Sequence, residues 1–100
     1  MKVKELLTDK SKWIQHTYSV RKDDMPCPPK SDSAICWCLS GAIKKCYDYP
    51  ICCDIEDKIL YYLKENDDLM KRNFDQNSIA FWNDDKNRTF EQVKELVEKL

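Results

Sequence analysis

The chain has 100 residues, 42% hydrophobic and 35% charged, with 17 Lys plus Arg against 18 Asp plus Glu. That length and mix describe one globular unit able to bury a core without staples. The interleaved charges leave no basic footprint for nucleic acid and no cationic face for a membrane surface, so neither partner is expected.

The N-terminal run MKVKELLTDKSKW has charges on both sides of Leu6-Leu7 and lacks the apolar core of a signal peptide. No apolar stretch approaches the roughly 20 residues that span a bilayer. The expected compartment is the cytoplasm, where thiols stay reduced. Cys27, Cys36, Cys38, Cys46, Cys52 and Cys53 are accordingly read as core residues rather than disulfides.

Gly41 is the one glycine, and no Asn-Gly or Asp-Gly hairpin signal occurs, which favours helices over tight hairpins. A first helix is expected from Lys2 through Leu7 toward Ile14, with Val3, Leu6, Leu7, Trp13 and Ile14 on helical spacing and Lys10 breaking the stripe. Thr17-Tyr18-Ser19-Val20 is a short extended stretch of β-formers. Pro26, Pro28 and Pro29 make Lys22 to Ser33 a loop. Asp32 or Ser33 is expected to cap a second helix over Ala34–Tyr47, with Ile35, Cys38, Leu39, Ala42, Ile43 and Cys46 inward. Gly41 within it costs roughly 1 kcal/mol relative to alanine, which implies that another element approaches closely there.

Pro50 suits the first turn of a third helix, Ile51 to Lys64, whose inner stripe is Cys52, Ile55, Ile59, Tyr62 and Leu63. Asn66-Asp67-Asp68 ends it. Leu69, Met70, Phe74, Ile79, Phe81 and Trp82 add apolar bulk in an irregular or short-helical stretch. Thr89 with Gln92 is a capping box for a last helix that buries Phe90, Val93, Leu96, Val97 and Leu100.

Candidate chemistry is sparse. Cys-x-Cys at 36/38 and adjacent Cys52-Cys53 lack the paired spacing of zinc sites, and two residues apart on a helix point about 200° away from each other. No metal site and no cofactor are expected. Cys27, Cys36 and Cys38 are the candidate reactive thiols, with His16 as the only histidine to serve as base; Cys27, in the proline-rich loop, is the expected exposed thiol. Asp84-Asp85-Lys86-Asn87-Arg88 fails the EF-hand pattern and reads as a turn in which Arg88 bridges a carboxylate above Trp82. Phosphate loops, nucleophile elbows and zinc-protease motifs are absent.

Trp13-Ile14-Gln15, Tyr18 to Arg21, Cys36 to Ile43, and Trp82-Asn83-Asp84 with Arg88-Thr89 and Val93 together resemble a family of small uncharacterised bacterial and phage proteins. That family shows a Trp-Gln segment, a Cys-Leu-x-Gly-Ala-Leu helix and a terminal Trp-Asn-Asp…Arg-Thr box. Ile43 replaces the usual Leu, Lys86-Asn87 replaces a common Pro-Gly, and Cys46, Cys52 and Cys53 stand outside the pattern. The resemblance implies a helical domain of a mobile element or its host, and no activity.

The expectation is a mainly α, compact single domain over residues 1–100, a bundle of about four helices with irregular loops and at most one short extended segment. Its function is read as a non-enzymatic interaction or accessory protein with a protein partner. The candidate interaction or structural box is Trp37, Trp82, Asn83, Asp84, Arg88 and Thr89; Trp37, Tyr47, Tyr49, Tyr61 and Trp82 would make a binding face if exposed together. The alternatives are a cysteine-dependent enzyme or redox protein, and a zinc-stabilised module.

Overall fold

Hydrophobic spacing and capping chemistry divide the chain into six helices and a two-stranded sheet among residues 1–99, which the computed structural model describes. In order these are α1 (Val3–Leu6), a 3-10 turn (Lys10–Lys12), β1 (Ser19–Arg21), β2 (Ala34–Trp37), α2 (Leu39–Cys46), α3 (Ile51–Asn66), α4 (Asp68–Arg72), α5 (Ile79–Asn83) and α6 (Phe90–Val97). The mainly α expectation holds; two of the helices, α4 and α5, divide the stretch expected to be irregular or short-helical. Among the described residues no helix is long and apolar enough to cross a membrane.

The first expected helix is cut short. Leu7 closes α1 with its N–H on Val3 O at 2.9 Å. The Asp9 carboxylate then accepts from Ser11 N at 2.9 Å, a local side-chain bond that competes with helix continuation. Trp13 lies beyond, in extended backbone, and bridges in parallel to Trp37.

The second expected helix is corrected more sharply. Ala34–Trp37 is strand, not helix, and it pairs antiparallel with β1 in the register Ser19↔Trp37 and Val20↔Cys36. Ile35, Cys36 and Trp37 suit a pleated surface, and the β-formers at 17–20 need a partner; non-local pairing outweighs the helical spacing. The cap moves from Asp32 or Ser33 to Cys38, whose sulfur accepts from Gly41 N at 3.2 Å. The angular argument that kept Cys36 and Cys38 apart on one helix therefore loses its premise.

Gly41 shows the close approach its presence implied. A Cβ built there would lie 1.9 Å from the Tyr18 carbonyl oxygen. Residues 17–20 thus press on α2 backbone to backbone, and the Tyr18 carbonyl also accepts from Cys38 N at 3.1 Å. Only hydrogen fits at position 41.

The remaining elements follow their local signals. Cys52, Ile59 and Leu63 of α3 are buried. Asp67 ends α3 by donating its N–H to Leu63 O at 2.8 Å, and starts α4 by accepting from Met70 N at 3.2 Å. Ser78 caps α5. The α6 capping box closes as expected: Gln92 N donates to Thr89 Oγ1 at 3.3 Å, and Thr89 N to Gln92 Oε1 at 3.0 Å. Phe90, Val93, Leu96 and Val97 are buried; Leu100, expected to extend that stripe, lies outside the described residues. One hydrophobic cluster draws side chains from all six helices and from β2.

Candidate functional site

The box residues fall into two groups around α5. Asn83 is completely buried, and its side-chain oxygen accepts from the Trp13 indole at 2.8 Å and from Leu39 N, the first N–H of α2, at 3.1 Å. Its amide nitrogen donates to Ile14 O at 3.2 Å and to Asp84 Oδ1 at 2.9 Å. Gln15 Nε2 reaches the Asn83 and Asp85 carbonyls, each at 2.9 Å. Asp84 accepts from His16 N at 2.9 Å. One side chain therefore fastens the 13–16 segment and the N-terminus of α2 to the end of α5. Sequence reading grouped these residues by resemblance but had no signal that Asn83 is the joint.

Trp82, Arg88 and Thr89 form the second group. The Trp82 indole donates to Asp67 Oδ1 at 3.1 Å. Arg88 stacks its guanidinium 3.9 Å from the Trp82 ring centre and donates to Trp82 O at 2.8 Å and Gln92 Oε1 at 3.1 Å. Burial lowers its pKa, against the pull of Asp67 and Asp85. The expected carboxylate bridge is thus replaced by stacking, which a planar guanidinium supports and an ammonium does not.

Trp37 and Trp82 retain only 6% and 3% exposure, so the aromatic face that included them does not form. Trp37 also donates to Pro29 O at 3.0 Å, and all three indole N–H groups thus have internal acceptors. Buried tryptophans with satisfied N–H groups are core anchors. The exposed aromatics are instead Tyr18, Tyr49, Tyr61, Tyr62 and Phe74.

The candidate thiols are dispersed. Cys27 is half-buried because its N–H donates to Ser19 O at 3.1 Å, folding the proline loop back on β1. Cys36 is half-buried, with its sulfur 3.1 Å from Ser11 O, and burial raises its pKa. Cys38 is buried; desolvation raises its pKa over the lowering effect of Gly41 N–H. The exposed thiol is Cys53 rather than Cys27, so the core reading does not hold for Cys53. Desolvation leads the causes that raise its pKa as well.

Cys38, His16 and Asp84 do share one cavity of about 300 Å3 with Thr17, Tyr18 and Ala80. His16 Nδ1 stands 4.0 Å from Asp84 Oδ2. The Cys38 sulfur is engaged by Gly41 N–H, and a thiol held protonated is a poor nucleophile. Among the described residues no three His, Cys, Asp or Glu side chains gather to hold a metal ion.

A different feature borders α3. A groove of about 350 Å3 opens between α3 and α6, lined by Tyr47, Ile55, Ile59, Tyr62 and Leu96 with Lys58 and Lys99. It continues past Tyr62, Leu96 and Lys99 into a smaller polar pocket that holds Arg88, Trp82, Asp67, Gln92 and Glu95.

Comparison with protein families gives a match over residues 1–100 to the family of unknown function DUF6197. The chain belongs to that family. No curated protein and no solved structure matches it significantly. Membership in DUF6197 assigns neither an activity nor a ligand, so function has to be argued from the geometry.

Proposed function

We propose that this DUF6197 member is a small, non-enzymatic interaction protein that docks a segment of a partner protein in the groove between α3 and α6. The groove carries this reading: Tyr47, Ile55, Ile59, Tyr62 and Leu96 present apolar and aromatic surface along an open channel. Tyrosine and aliphatic side chains around such a channel are the residue types that anchor helices and extended segments. The six cysteines are free thiols, the state a reducing cytoplasm maintains. The resemblance to bacterial and phage proteins fits an accessory role in a host or its mobile element.

The test is site-specific photo-crosslinking in cells. A benzophenone amino acid at position 62 is expected to give a discrete protein adduct that the same probe at Tyr49, outside the groove, does not give. The adduct should vanish when Ile55→Glu is added to a chain still folded by circular dichroism. Equal adducts from both positions, or none from position 62, would refute the docking reading.

The cavity holding Cys38, His16 and Asp84 favours a second reading, a cysteine-dependent protein. It requires Cys38 to react with iodoacetamide far faster than the exposed Cys53 at neutral pH. Slow labelling of Cys38 until unfolding removes it.

A further inference from the structure

We infer that the segment seated in the α3–α6 groove is acidic and amphipathic, its apolar side chains on the groove floor and its carboxylates at Lys58 and Lys99. This inference rests on the docking reading above and specifies the partner's chemistry.

The groove is electrically one-sided. Both charged residues in its apolar part, Lys58 and Lys99, are cations. Lys99 has one acidic neighbour, Glu95, at a loose 3.8 Å, and both side chains are largely in solvent. Lys58 and Arg88 make no ion pair among the described residues, whereas Lys44, Lys30 and Arg21 each have a carboxylate within 3 Å. Arg88 lies in the polar pocket that continues the groove, half-buried, with its guanidinium clamped on Trp82. Carboxylates also face this end. Asp67, which accepts from the Trp82 indole and Met70 N, and Asp85 both act on Arg88, and Glu95 is turned to Lys99. A chain with net charge −1 therefore lines its apolar channel with cations alone, Lys58 and Lys99, and keeps its nearby carboxylates at the polar end. Complementary charge selects partners and speeds encounter while burial of the apolar side chains holds them. A basic or uncharged segment would fill the floor and leave the cations unmatched.

The experiment selects displayed random 12-residue peptides on the immobilised full-length protein and measures the winners by fluorescence anisotropy. Enriched peptides are expected to combine Leu, Ile, Phe or Trp with Asp or Glu and to perturb the NMR signals of Ile55, Ile59 and Leu96. Their binding should weaken about tenfold in Lys58→Glu/Lys99→Glu, two solvent-facing changes, and weaken further with added salt. Groove-binding peptides that are neutral or basic, or that ignore the charge reversal, would overturn this inference and leave the docking reading standing. Peptides that bind elsewhere, or no enrichment, would overturn both. Sedimentation showing a dimer that Tyr62→Ala dissolves would make a second copy of the chain the occupant, and would also overturn the inference.

Discussion

The interior and the surface of the chain use aromatic residues in opposite ways. In the interior, Trp13, Trp37 and Trp82 each send the indole N–H to an internal acceptor. At the surface, Tyr61 and Phe74 are 71% exposed, and Tyr62 edges an open groove. Ring count alone does not separate anchor from surface; what separates them is whether the polar handle has a partner inside the protein. Tryptophan, with a single donor and a large apolar body, suits a buried joint whose acceptor is fixed in place.

Removing the joint should have the largest effect. Asn83→Ala leaves the buried Leu39 N and the half-buried Trp13 indole without their acceptor and the half-buried Ile14 O without its donor. Unsatisfied buried groups of this kind cost about 1–3 kcal/mol each before relaxation, so a loss of about 4 kcal/mol is expected in urea denaturation. On the other side of the comparison, Tyr61→Ala should stay within about 0.5 kcal/mol of wild type. Similar losses from both would erase the distinction between interior and surface.

Gly41→Ala comes next and probes the same interior through the backbone. The clash is with the Tyr18 carbonyl, part of a strand entry held by pairing on both sides rather than a side-chain tip that can swing away. Overpacking against fixed backbone costs about 3 kcal/mol, and the expected readout is a lowered Tm with β1 and α2 amides exchanging faster. A change under about 1 kcal/mol would mean that residues 17–20 yield easily and that the interior is less rigid than its contacts imply.

Much of this architecture was legible beforehand, and the misreadings share a cause. The α6 capping box, the α3 stripe and the tight approach at Gly41 are local signals, and each was read from a few neighbouring residues. Ala34–Trp37 was misread because its helical spacing was judged without its partner, Ser19–Arg21, which lies on the far side of the proline loop. The role of Asn83 was invisible for the same reason: its partners Trp13 and Leu39 are 70 and 44 residues away. The groove was hidden too. Ile59 and Leu96 are buried as their stripes imply, whereas Ile55 is half-buried and Tyr62 exposed, because periodicity says nothing about whether two stripes close on each other.

The smallest expected effect lies at the boundary of interior and surface, at Lys44 of α2. Its ammonium donates to Ser40 Oγ at 2.8 Å and to Glu56 Oε2 at 2.9 Å, and stands 4.9 Å from the Tyr18 ring centre. Burial on its own would lower the lysine's pKa, but the hydrogen bond and charge of Glu56 outweigh it and raise the value above the ordinary 10.5. A raised folded pKa means that the contribution is present in full below 10.5 and fades as pH climbs through the folded value. The side chain is 36% exposed, so solvent screening holds the contribution to about 1 kcal/mol. Comparison with Lys44→Met isolates it from every other group of the chain, because both proteins carry those. The stability gap between the two should be flat from neutral pH to the ordinary lysine value and should narrow beyond it. A gap that stays constant into strong alkali would show that Lys44 acts through its aliphatic stem against Tyr18 and not through its charge.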